Sequence, residues 1–261
     1  MRMMKKVLGT VTVLALSVSL LAGCGSTAAS PVSSAASTAA ESTTSSVVSE
    51  TTSAAADENV AAAAQLLNDL TGSYQELWPV ILADEYQQTW LDDCTALVGE
   101  ENAEAAFEKL SSMVTGDVYG EDAVEAYANG GDAYFCGFTN DLATLTFDGE
   151  TSTISGTDKD GNELFSHTYH YIGMEPVHGL YEFESDDADS GEFTYFAFAP
   201  DTMETTYHLE FRYAEDLDDL QSWYEGNYAY WNAAAIAEDY DQATMENVIE
   251  LFVTENLSEA E

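Results

Sequence analysis

The stretch Thr205-Thr206-Tyr207-His208-Leu209-Glu210-Phe211-Arg212-Tyr213 alternates aromatic or aliphatic side chains with polar and charged ones. Successive side chains of a strand point to opposite sides, so a period of two marks a strand with one face buried. Tyr207, Leu209, Phe211 and Tyr213 then share the buried face, and His208, Glu210 and Arg212 share the other. Six upstream runs have the same character: residues 133–138, 143–147, 152–156, 163–172, 180–184 and 192–199. Turn signals separate them, namely Asp148-Gly149, Asp160-Gly161 and the acidic loop 185–191. Short strands at this spacing predict an antiparallel meander, and closing it into a barrel would remove its exposed edges.

Residues 58–129 read as helical. Val60, Leu66, Leu67 and Leu70 open a first helix that Thr71-Gly72 closes. A second is expected from Ser73, a good N-cap, with Tyr74, Leu77, Trp78 and Ile81 on one side and a break at Pro79. Trp90, Leu91, Ala103, Phe107 and Leu110 continue the helical spacing, which returns at 216–223 and 241–252. The expected class is α+β: helices, a β-meander, then helices.

The leading segment has a different composition. Arg2, Lys5 and Lys6 precede the uncharged, mostly apolar stretch 7–22, which is shorter than the roughly 20 residues a membrane-spanning helix needs. A basic start, a short apolar core and small residues at the cut describe a signal peptide. Leu21-Ala22-Gly23-Cys24 resembles the lipobox of bacterial lipoproteins, in which the cysteine becomes the lipid-carrying N-terminus. Residues 1–23 are therefore expected to be a lipoprotein signal peptide. Residues 24–57 are expected to be the lipidated Cys24 and a linker rich in Ser, Thr and Ala, and 58–261 the folded domain. With no aromatic residue, the linker cannot bury enough surface to offset the entropy of ordering. The expected location is extracytoplasmic, anchored to the cell membrane.

The chain has 6 Lys+Arg against 48 Asp+Glu. Three of the basic residues lie in the leading segment, leaving only Lys109, Lys159 and Arg212. Such a surface repels nucleic acid and anionic lipid headgroups, and it attracts cations. Beyond Cys24 there are two cysteines, Cys94 and Cys136. In an exported protein they form a candidate disulfide or remain two buried thiols.

No HExxH, GxSxG, P-loop, GxGxxG or CxxC motif occurs, and the sequence is not expected to be an enzyme. His208 and Glu210, at i and i+2 on one strand face, can reach a single zinc ion. They can equally form a His–Glu hydrogen bond with Arg212 as counter-ion. His167 shares its strand face with Phe165 and Tyr169, His170 points the other way, and His178 follows Pro176 in a loop. The acidic turns around Asp160-Gly161 and Asp186–Gly191 lack the further ligands of an EF-hand and read as hairpin turns.

The segment Leu70-Thr71-Gly72-Ser73-Tyr74-Gln75-Glu76-Leu77-Trp78-Pro79-Val80-Ile81 resembles the opening of the ZinT family of zinc-binding proteins. The same module occurs at the C-terminus of some zinc-transporter solute-binding lipoproteins. The central strands about Tyr181 and Phe193, the stretch from Ala214 to Trp231 and the last helix about 241–252 follow the family's order. The resemblance implies a calycin-like (lipocalin-like) barrel that binds zinc through histidines near one end. The family's H-x-H falls on His208 and Glu210, so the second ligand becomes a carboxylate, and the histidine of the preceding strand falls near Phe196. Zinc accepts carboxylate, so His208 and Glu210 remain the expected metal ligands, with His167 or an acid to complete the site. The expected function is capture of a divalent metal, foremost zinc, and its delivery to an ABC uptake transporter. The alternative is a metal-free calycin module that binds a small organic ligand or a protein partner.

Overall fold

The computed structural model describes residues 47–130, 134–203 and 206–258. The expected signal peptide, Cys24 and most of the linker lie outside the described residues. Helix α1, Val47–Asp69, starts inside the segment assigned to the linker.

Eight antiparallel strands form a closed barrel in meander order: β1 Gly72–Glu76, β2 Thr144–Asp148, β3 Thr153–Thr157, β4 Glu163–Met174, β5 Tyr181–Ser185, β6 Tyr195–Met203, β7 Thr206–Ala214 and β8 Ala233–Ala237. Closure runs through β1 and β8, with Tyr74 opposite Ala237. Every strand thus has two neighbours and no edge is left to pair with another chain. The alternation read from the sequence sets the wall. Leu209, Phe211 and Tyr213 point inward and are fully buried, opposite Phe196 and Phe198 of β6. The interior is filled by such rings, as in the stacked Phe183–Phe198 pair with centroids 4.7 Å apart.

Helix α1 packs Leu66, Leu67 and Leu70 into the barrel core. The β2–β3 turn comes so close to it that a Cβ on Gly149 would lie 2.5 Å from Asn68 Cα. Only glycine fits there. A second apolar layer lies on the outer side of β8, where Ala234 and Ile236 meet four helices: α2 Leu77–Ile81, α3 Gln87–Val98, α4 Ala103–Val114 and, later in the chain, α7 Gln242–Leu257. Trp90 at its centre donates from Nε1 to Ile81 O at 2.7 Å. Asp241 caps α7, its side chain accepting from Thr244 N at 2.9 Å. Helix α5, Glu121–Ala128, and helix α6, Leu217–Gln221, complete the set.

Three expectations are corrected. The helix predicted from Ser73 is strand β1 followed by α2, with Tyr74 pointing into the barrel core. The Ala-rich β8 was not anticipated, because both its faces are buried and no alternation marks it. The run 133–138 is not a barrel strand. Phe135 forms only isolated bridges to Thr115 and Trp231, and Phe138 packs on Phe211 at 5.1 Å. The eight strands already satisfy one another, so this segment lies against the wall instead of joining it.

Candidate metal centre

Strand β7 carries His208, Glu210 and Arg212 on its outward face, as the period of two predicts. Across the sheet, Ala199 of β6 lies opposite Glu210 and Ala197 opposite Arg212. These small residues leave room for side chains above the wall. His208 Nε2 is 3.9 Å from Glu210 Oε1, with the side chains 16% and 38% exposed. Burial pushes the Glu210 carboxyl upward. The hydrogen bond and charge of His208, the Asn232 amide and the charge of His178 outweigh this and hold it below the ordinary carboxylate range. Glu210 is therefore anionic at neutral pH, as a metal ligand must be. Tetrahedral zinc with N or O ligands at about 2.0–2.2 Å sets two of them roughly 3.4 Å apart. The observed 3.9 Å is wider, so the two side chains would have to draw together to share one ion.

Arg212 is not their counter-ion. It is fully buried, its guanidinium carbon 4.2 Å from the Trp223 ring centroid, and Nη2 donates to Ser222 O at 3.2 Å and Tyr228 O at 3.0 Å. Burial pulls its pKa down to about 10, against the opposing charge of Glu175. Glu175 lies in the β4–β5 turn with its side chain fully buried. Burial alone would raise its carboxyl. The His178 side chain and amides of His178 and Val177, with Trp223 Nε1 at 3.0 Å, reverse this and lower it to about 2. No spacing marks Glu175 or Trp223 in the sequence; only Pro176 and Gly179 hint at the tight turn that lets one carboxylate collect successive backbone amides.

His167 is not brought to this pair. It lies on β4, three strands from β7 in the barrel order, on the inward-facing side shared with Phe165 and Tyr169, and its Nδ1 is 3.0 Å from Asp187 Oδ2. His170 faces out and meets Asp186 at 2.8 Å. His178 stacks on Trp223 with ring centroids 3.8 Å apart. The acidic turn of β3–β4 is a hairpin turn held by Asp158, which accepts from Asp160 N and Asn162 N. The candidate disulfide is absent: Cys94 and Cys136 are free thiols. Cys94 is buried in the helical layer and Cys136 packs against that layer from the segment beside β8. Burial pushes the Cys136 thiol up to about 12, aided by Glu210 and Glu76, so it is protonated at neutral pH. Among the described residues, no group of three or more His, Cys, Asp or Glu side chains converges to hold a metal ion. No helix among them is long and apolar enough to cross a membrane.

No protein-family model matches the chain, and no curated protein matches it. Among solved structures, it is similar to the full Zn(II)-bound AdcA of Streptococcus pneumoniae, with 16% identity, 72% of this chain and 35% of that chain covered, and a TM-score of 0.40. It is likewise similar to the Zn(II)-bound ZinT-like domain of the same AdcA, with 16% identity, 72% of this chain and 89% of that chain covered, and a TM-score of 0.43.

Proposed function

We propose that this chain is an exported lipoprotein, tethered through lipid on Cys24, whose barrel domain binds a divalent metal outside the membrane. Zinc is the favoured ion, because the donors are an imidazole and a carboxylate. The protein acts by binding, not catalysis, and passes its cargo to an ABC uptake transporter. The observation that carries this reading is the outward pair on β7: His208 Nε2 and Glu210 Oε1, 3.9 Å apart, with the carboxylate kept ionised. The acidic surface supports it by drawing cations toward the domain. The alternative, a small organic ligand inside the barrel, meets a lumen filled by buried aromatic side chains.

Native mass spectrometry of the purified protein with one equivalent of zinc tests the reading. The expected result is a stoichiometric adduct that His208→Ala abolishes. An equal adduct in both proteins, or none in either, removes the β7 pair as a metal site. For the tether, Cys24→Ser is expected to move the protein from the membrane to the soluble fraction; retention in the membrane would refute lipid anchoring.

A further inference from the structure

The β4–β5 turn and the loop that follows α6 meet outside the barrel. Trp223 joins them: its Nε1 donates to Glu175 Oε1 at 3.0 Å, and its ring stacks on His178 with centroids 3.8 Å apart. At this junction lies a cleft of about 250 Å³, lined by Val177 of the turn and by Gln221, Ser222, Trp223, Tyr224 and Glu225. Trp223 is buried, whereas Val177 and Tyr224 are 59% and 48% exposed, and Met174, which closes β4 before the same turn, is 40% exposed. Single exposed apolar side chains need no explanation, but these three border one junction. The Tyr224 ring is held in place. It meets Tyr230 edge-on at 5.6 Å, and Tyr230 stacks on Tyr127 of α5 at 3.9 Å. Tyr230 has φ +60°, a strained conformation that its surroundings must enforce.

The chemistry of the lining is one-sided. Trp223 gives its only N–H to Glu175, Gln221 Nε2 donates to Glu182 Oε1 at 2.6 Å, and the Ser222 hydroxyl donates to Asp218 O at 2.9 Å. These side chains therefore offer a ligand mainly oxygen acceptors: the Gln221 carbonyl, the Ser222 oxygen and the exposed Glu225 carboxylate. No basic residue lines the cleft. Arg212, on the Trp223 ring, is fully buried and donates to Ser222 O and Tyr228 O. Acceptors beside an exposed tyrosine ring suit a cation that carries several N–H donors and an apolar stem. An anion would face Glu225, and a purely apolar group would desolvate the acceptors without pairing them.

We propose that this cleft is a docking pocket for an arginine side chain of a partner polypeptide. Its methylene stem lies against Val177, and its guanidinium covers the Tyr224 ring and donates to Glu225 and Gln221. Arginine fits better than lysine, because its planar fork stacks on a ring and carries five donors. The volume admits one long side chain, and the excess of 48 acidic over 6 basic residues complements a basic partner surface. A ring already fixed by its neighbours loses little freedom on binding. The inference is independent of the metal reading of β7.

The test is an NMR titration of the purified protein, following the Trp223 indole N–H, with acetyl-Gly-Arg-Gly-amide, its neutral citrulline counterpart, and spermidine. The expected result is a saturable shift with the arginine peptide and weaker binding of the other two. Tyr224→Ala is expected to weaken arginine binding about two- to fivefold, while Tyr224→Phe keeps the ring and binds as the wild type does. Glu225→Gln, at an exposed position, weakens it without touching the packing, so a folding defect in Tyr224→Ala does not stop the test. Citrulline binding equal to arginine would overturn the proposal, because no charge is then read. Unchanged binding in both Tyr224→Ala and Glu225→Gln would reduce the effect to general attraction by the acidic surface. Spermidine binding as tightly as the peptide would replace the partner's arginine with a free polyamine.

Discussion

Asp93 on α3 keeps one carboxylate oxygen buried with no hydrogen-bond partner, in a cleft of about 390 Å³ lined by Thr89, Asp93, Glu246, Asn247 and Glu250. Burial pushes its pKa up to about 6, and Glu250, Asp92 and Glu246 add to the rise. A carboxyl raised in the folded state binds its proton more tightly there than in the unfolded chain. Stability is therefore fuller at acid pH and declines as pH rises toward 6. Asp93→Asn is expected to raise stability by about 1 kcal/mol at pH 8 and to have little effect at about pH 3, where the carboxyl is largely protonated in both states. Urea unfolding at the two pH values checks this; equal stability of the two proteins at pH 8 would contradict it. The same physics explains how much of the candidate site was legible in the sequence. His208 and Glu210 were readable as neighbours because a strand's period is fixed. Glu175, Trp223 and the burial of Arg212 were not, since each depends on a turn folding back over a distant strand. For His167, membership of a strand could be read from the sequence, but that strand's place around the barrel could not.

At the scale of elements, the alternating strands were legible and the uniformly buried ones were not. β2 through β7 carry a period of two because one face meets the aromatic interior and the other meets solvent or small covering segments. β8 is buried on both faces, by the barrel core and by the helical layer, and so shows only alanines and Ile236. β1 was hidden by Ser73, which serves equally as a helix cap and as a strand residue bonded to Thr146. The junction of α1 with the barrel turns on Gly149, whose missing Cβ admits the Asn68 backbone. Gly149→Ala forces backbone against backbone and is expected to cost about 1–3 kcal/mol, as overpacking does. Gly161→Ala, at a glycine with φ +79° and open space around it, is expected to cost about 1 kcal/mol, through backbone strain alone. Thermal unfolding of the two variants ranks them; a Gly149→Ala protein as stable as Gly161→Ala would show that α1 does not press on this turn.

At the scale of the whole molecule, the closed barrel is a support that holds His208 and Glu210 outward on a strand paired on both sides. Its interior is filled with aromatic side chains, leaving chemistry to the outer wall. There, Ala197 and Ala199 let the β4–β5 turn and Trp223 lie close above β7. The chain carries 48 acidic side chains against 6 basic ones, a balance that favours cations, and salt screens such a field over about 10 Å at 0.1 M. If His208 and Glu210 hold a divalent metal, crystals grown with one equivalent of zinc will show, in anomalous diffraction at the zinc edge, a single strong peak within about 2.0–2.2 Å of His208 Nε2 and Glu210 Oε1; a peak elsewhere, or none, would rule the site out.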